Sequence, residues 1–327
     1  MKYIVFGSNS FSGSSFINHL CDQGHEVLGI SRSPETHPVF LRYAKLKSRQ
    51  FSFKQIDINY DLHELINQVS DFRPEYVVNF AAQGMVAESW VSPGDWFQTN
   101  TVATIKLHDE LRKFDWLKKY VHISTPEVYG SCIGLVKEDH PLHPSTPYAV
   151  SRAAADMSLL TFIKAYDFPV VFTRAANVYG EHQQLYRIIP RTVLFFLTGR
   201  KLQLHGGGSS VRSFIHIDDV CLGTQRAAEH GETGDIFHFA TELNISIRSL
   251  VELIANRLGV EFEDHVELVG DRLGKDAAYL LDCTFSDEKL KWKSNISLEA
   301  GIDRTIDWVK ENLEELCRQP QDYIHKP

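Results

Sequence analysis

The sequence predicts an α/β protein: a doubly wound parallel sheet followed by a smaller, mixed α/β C-terminal domain. Three observations predict it. Strand-like apolar runs alternate with amphipathic helical segments through the first half, the β-α-β rhythm of a parallel sheet with helices on both faces. Runs such as YVVNF (Tyr76–Phe80) are apolar nearly throughout, as strands buried on both sides must be. Beyond Asn177 the rhythm breaks into shorter elements, interrupted by GEHQQLYR, the glycine run Gly206–Gly208 and DRLGKDAAYLLD.

In chain order, Tyr3–Phe6 and Glu26–Ile30 read as the first two strands, with a helix over Phe16–Gln23 between them. Further strands are expected at Phe51–Ile56, Tyr76–Phe80, Tyr120–Ile123 and Val170–Thr173. These assign residues 1–176 to the sheet domain. FIHIDDV (Phe214–Val220) and the helix after it return to that domain, adding about 213–240. Residues 177–212 and about 241–327 form the smaller domain, which closes over the carboxyl edge of the sheet. The tail Gln319–Pro327 is expected to be loose, and no internal repeat or low-complexity tract occurs.

A chain of 327 residues has ample material for a core. A formal charge of -8 leaves no electrostatic footprint for nucleic acid or an anionic membrane. No apolar run approaches the ~20 residues of a membrane span, and the apolar start of MKYIVFGSNS is too short for a signal peptide. Five scattered cysteines without a CxxC pair read as reduced thiols of a cytoplasmic protein, with no metal.

The first strand runs into Gly7-Ser8-Asn9-Ser10-Phe11-Ser12-Gly13 and then a helix. This is a G-x-x-G-x-x-G loop whose middle glycine has become Ser10. A dinucleotide site needs such a loop for a tight turn, for close backbone approach to a pyrophosphate, and for amide donors at a helix start. Gly7 serves the turn and Gly13 the helix–sheet contact, while Ser10 adds a Cβ where the phosphate approaches. The second strand ends Gly29-Ile30-Ser31-Arg32-Ser33, without the carboxylate that would hold the ribose hydroxyls of NAD. Ser31 and Arg32 suit a 2′-phosphate instead, so the reading favours NADP. Asp57, after the third strand, is placed to contact the adenine.

With this Rossmann-type loop come Tyr148-Ala-Val-Ser-Arg152, Arg174-Ala-Ala-Asn177-Val-Tyr-Gly180, Arg212-Ser-Phe-Ile-His-Ile-Asp218, NFAAQGMVAESW, STPEVYG, RIIP and LEAGIDRTIDWVKEN. In this order they resemble the extended short-chain dehydrogenase/reductases that act on nucleotide sugars, with the nearest look to dTDP-glucose and GDP-mannose 4,6-dehydratases. The resemblance implies a tightly bound, recycled NAD(P) touched by Gly7 to Gly13, Ser31, Arg32, Asp57, Ile58, Phe80, Ala81, Ala82, Gln83, Asn100, Ser124, Tyr148, Arg152 and Val178. It implies a nucleotide-diphosphate sugar held by Met85, Thr125, Pro126, Glu127, Asn177, Arg187, Arg212, Asp271 and Arg272.

The chemistry implied is oxidation at C4, loss of water across C5/C6 and hydride return to C6, giving a 4-keto-6-deoxy sugar. Tyr148 matches the base at the 4-hydroxyl, Thr125 the residue bonding the 4-oxygen, and Glu127 the base for the C5 proton. The family's lysine four residues after the tyrosine is Arg152 here, on the same helix face one turn on. At ~4 Å and an effective dielectric near 20, a cation is worth about 4 kcal/mol to a phenolate. Pro126 stands where dTDP-glucose dehydratases carry an acid for the leaving 6-hydroxyl, and it has no proton to give. That departure keeps open an epimerase, 4-ketoreductase or decarboxylase of the same family. Together with Ser10 and Arg152, it also keeps open a catalytically degenerate binding protein.

The helices near Asn100–Arg112 and Tyr148–Ala165 carry Ile105, Leu107, Leu111, Ala153, Met157, Leu160 and Ile163. In the resembling enzymes such helices pair across a two-fold axis, which implies a homodimer through a four-helix bundle.

Overall fold

The protein is described by a computed structural model, which covers residues 1–46, 50–132, 134–270 and 280–326. Seven strands form one parallel sheet: β1 (Lys2–Phe6), β2 (Glu26–Ser31), β3 (Phe51–Gln55), β4 (Tyr76–Asn79), β5 (Lys119–Ile123), β6 (Val170–Ala175) and β7 (Ile236–Phe239). Their order is β7-β6-β5-β4-β1-β2-β3. The chain reverses its winding between β1 and β4, and such a reversal opens a crevice at the carboxyl ends of the strands.

Strand alternation divides the core. Tyr3 and Val5 of β1 enter one apolar cluster, while Ile4 and Phe6 enter the cluster on the opposite face. A third cluster lies outside the sheet, where Ile189, Val193 and Phe196 meet Leu250, Ile254, Ile302 and Ile306. Beside it Val211–His216 pairs parallel to Asn177–Tyr179 and antiparallel to Asn244–Ser246. Val39 and Phe40, from the loop after β2, also insert into this third cluster.

Three expectations need correction. The sequence pattern starts the first helix at Phe16, but it starts at Phe11 and runs to Asp22. The Ser10 hydroxyl caps it by accepting from the Gly13 amide at 3.0 Å, so residues of loop composition become its first turn. Strand β7 has no counterpart in the sequence reading, because IFHF is four residues long and carries a histidine at a core position. Finally, the segment expected to be loose is pinned: Gln321 to Lys326 hydrogen-bond to Arg191, Arg200, Gln83 and Arg32. Among the described residues no helix is long and apolar enough to cross a membrane, no cluster could hold a metal, and none of the five cysteines forms a disulfide.

Candidate active site

One cavity of about 1340 Å³ opens at the carboxyl ends of the strands. Its floor is the β1 turn. Gly7 has φ +76°, and a Cβ on it would lie 2.6 Å from the Ala81 amide nitrogen. A Cβ on Gly13 would lie 2.3 Å from the Gly7 carbonyl oxygen. Both positions exclude any other residue, and the close approach holds the loop after β4 against the turn after β1. Gly7, Asn9, Ser10, Phe11 and Ser12 line the cavity. Ser10 lies on the wall as expected, but its hydroxyl is spent on the helix cap. Ser8 and Gly13 lie behind the wall, Ser8 fully buried against Gly29.

Ser31, Arg32, Ile58, Phe80, Ala81, Ala82, Gln83 and Met85 continue the wall. The Ser31 hydroxyl accepts from the Asn9 amide at 3.2 Å, and Arg32 donates to the Lys326 carbonyl at 2.8 Å. Asp57 is not on the wall. Its carboxylate accepts from the Asn59 amide at 2.8 Å and closes the turn after β3, leaving Ile58 to face inward. Asn100 is also withdrawn. A π-helical turn, Gln98–Ala103, carries it into the interior, where it accepts from the Gln83 amide at 2.7 Å and donates to the Gln83 carbonyl at 3.0 Å. Asn100 thus shapes the wall without being part of it.

After β5 the chain turns through Ser124 and Thr125 into a single 3₁₀ turn, Pro126–Tyr129. Pro126 suits the first position of such a turn, where its missing N–H costs nothing. The turn buries Pro126 and leaves Ser124, Thr125 and Glu127 on the cavity. Gly130 closes it at φ +68°, where a Cβ would meet the His143 carbonyl oxygen at 2.1 Å. Tyr148 enters from the first turn of helix Pro147–Tyr166, capped by the Thr146 hydroxyl, with Arg152 one turn on. Thr125 and the Tyr148 phenol face the same cavity. Burial and then the Glu127 carboxylate push that phenol up, against the pull of Arg152, Thr125 and Arg187.

Arg152 is buried, and a terminal nitrogen donates to the Ile123 carbonyl, 3.5 Å from His122 Nε2. Its Nε is buried without a protein partner. Beneath the loop, Asp156 accepts from Arg174 at 2.8 Å and from Ser124 at 2.7 Å. Arg174 also donates to the Tyr129 hydroxyl, which lies 2.7 Å from His238 Nε2. His238 Nδ1 is 3.0 Å from the Asp282 carbonyl, so each group in the chain donates to the next when His238 is neutral. Burial first, then Arg174, push the His238 imidazole down to about 3.

On the far side Asn177, Val178 and Arg187 line the cavity. Arg212 does not: its guanidinium donates to the carbonyl of its own neighbour, Val211, at 2.8 Å. Asp271 and Arg272, with Ala278 and Tyr279, fall outside the described residues. The sequence reading missed Arg191, Arg200 and Tyr186 on this wall. Arg191 had a signal, since it follows Arg187 by four residues across a helix start and so shares its face.

A glycine turn at the switch point of a 3-2-1-4-5-6-7 sheet, with a tyrosine, threonine and glutamate around one cavity, defines a short-chain dehydrogenase/reductase of the extended, nucleotide-sugar type. Residues 4–305 match the family model for GDP-mannose 4,6 dehydratase, and the chain belongs to that family. It is 33% identical over 324 residues to a dTDP-glucose 4,6-dehydratase of Streptomyces antibioticus, covering 95% of this chain and 93% of the relative. An Escherichia coli dTDP-glucose 4,6-dehydratase is 27% identical over 345 residues, with 96% and 95% covered. Among solved structures, DesIV, the dTDP-glucose 4,6-dehydratase of Streptomyces venezuelae solved with NAD, superposes with a TM-score of 0.89 at 30% identity, covering 96% and 98% of the two chains. A Thermotoga maritima UDP-glucose 4-epimerase solved with UDP-glucose gives 0.85 at 27% identity, covering 96% and 100%.

Proposed function

We propose that this chain is an NAD(P)-dependent nucleotide-sugar 4,6-dehydratase. The observation that carries the reading is the convergence of Tyr148, Thr125 and Glu127 on one cavity, above the Gly7–Gly13 turn. That turn excludes any Cβ at both glycines, which fits a pyrophosphate held by backbone amides. NAD(P) bound there supplies a hydride acceptor for C4 and a donor for C6. Ser31 and Arg32 at the end of β2 favour NADP within that pair.

Tyr148 takes the proton of the sugar's 4-hydroxyl, and Thr125 orients the phenol and the 4-oxygen. Glu127 takes the C5 proton, which is acidic once C4 is a ketone. The C6–O bond then breaks, and the proton on Glu127 returns to the leaving oxygen as water forms. Pro126 offers no acid, so one carboxylate serves both transfers. Arg152, buried and with an unpartnered Nε, stabilises the phenolate and would hold the ribose at the nicotinamide end of the dinucleotide. Arg187 and Asn177 face the sugar diphosphate.

The assembly we propose is a homodimer in the cytoplasm. Val102, Val150, Met157 and Leu160 stand exposed on the two helices named above, whereas Leu107, Leu111 and Ala153 are buried and cannot form the interface.

Incubation with dTDP-glucose, UDP-glucose and GDP-mannose, read by mass spectrometry, tests the function. A product lighter by one water supports it. The residue that favours a second reading is Pro126. A product of unchanged mass would indicate an epimerase, and NADPH consumption with a keto-sugar a reductase; either overturns the dehydratase.

A further inference from the structure

The segment Gln321–Lys326 runs along the rim of the cavity described above and joins its two ends. On the sugar side, Arg191 donates to the Gln321 carbonyl at 2.7 Å and pairs with Asp322, while Arg200 donates to the Gln321 side chain at 2.6 Å. Midway, Tyr323 meets Tyr186 edge-on at 5.4 Å. Further along, the His325 ring stacks on Trp96 at 4.9 Å and its Nε2 lies 2.7 Å from an Asp95 carboxylate oxygen. At the other end a single carbonyl, that of Lys326, accepts from Gln83 at 2.6 Å and from Arg32 at 2.8 Å.

The position of that carbonyl is the informative point. Arg32 follows β2 and Gln83 follows β4, and these strands flank β1 on opposite sides. An oxygen bonded to both side chains lies across the carboxyl end of β1, over the Gly7–Gly13 turn. This is the crevice in which the fold type seats a dinucleotide. It also engages the one guanidinium at the end of β2.

We propose that Gln321–Lys326 is an internal competitor for the dinucleotide: docked, it occupies the crevice and withdraws Arg32, and it must release before the cofactor enters. The proposal rests on the reading of this cavity as a dinucleotide site. An NADP-type ligand gains most from release, because its 2′-phosphate needs Arg32 itself. Apparent affinity falls by the fraction of molecules in which the crevice is open, so a strap docked in about nine-tenths of them weakens binding about tenfold.

The test compares the full chain with a chain ending at Pro320 and with His325→Ala, which removes an anchor outside the dinucleotide contacts. NADPH and NADH are titrated by nicotinamide fluorescence. The expected result is binding about tenfold tighter in the shortened chain, more for NADPH than NADH, with a smaller gain in His325→Ala. Equal or weaker binding in both variants overturns the competitor while leaving the dinucleotide reading intact. Absence of binding in every form overturns both. Hydrogen exchange on the full chain adds an independent readout. Amides of 321–326 exchange faster when NADPH saturates the protein if the strap is displaced; slower exchange would show a lid that closes over bound cofactor and would overturn the proposal.

Discussion

Thr125 and Tyr148 open onto one cavity, although the two side chains come from separate elements, the turn after β5 and the start of helix Pro147–Tyr166. Their meeting sets a buried phenol beside the turn that carries Glu127. The turn itself is held from below by Asp156, through Ser124.

Tyr148→Phe is expected to lower turnover by about 10²–10⁴ with little change in binding, since it removes only the proton acceptor. The phenol is pushed up by burial and by Glu127. Activity therefore rises with pH above neutrality as the phenolate forms. Arg152→Met takes away a group pulling the other way, so its pH–rate profile moves to higher pH, and Arg152→Lys restores it. A profile that does not move would remove Arg152 from this role.

Glu127→Gln separates the two halves of the reaction. The C4 oxidation remains, whereas water loss and solvent exchange at C5 fall by roughly 10² or more. Mass spectrometry in deuterated water reads both: deuterium entering at C5 at the normal rate in this variant would assign the proton to another base.

Gly7→Ala forces a Cβ to within 2.6 Å of the Ala81 nitrogen at φ +76°. The left-handed conformation alone costs ~1–2 kcal/mol, and the shift of the Ala81 backbone adds to it. Gly94→Ala, which meets nothing within 4 Å, is the control. A lower melting temperature and lost NADPH binding are expected for Gly7→Ala alone.

Glu138 supplies a pH signature of stability. Burial pushes its carboxyl up from 4.5 to about 7. Below pH ~4.5 the group is protonated in folded and unfolded chains alike, and its contribution is then fully present. Between there and pH 7 only the unfolded chain ionises, so stability falls by roughly 3 kcal/mol and then levels off. Glu138→Gln removes this decline. Denaturant unfolding at pH 5 and pH 8 measures it, and equal slopes for both proteins would place the charge elsewhere.

The parallel sheet, the glycine turn and the candidates Thr125, Glu127 and Tyr148 are legible in the sequence, because each is a local pattern: apolar runs, a turn that admits no Cβ at its end glycines, a motif a few residues long. Relationships between distant segments, in contrast, arise on folding and are written nowhere in the local pattern. Asp57 and Asn100 bear polar groups in plausible places, yet hydrogen bonds to Asn59 and Gln83 turn them off the cavity wall. Strand β7 hides a buried His238 that becomes tolerable only when Tyr129 and the Asp282 carbonyl satisfy both ring nitrogens. The segment ending at Lys326 reads as loose because it lacks periodicity. It is ordered by Arg32 and Gln83, some 240 to 295 residues away, and a hydrogen bond that long in sequence leaves no trace in local composition.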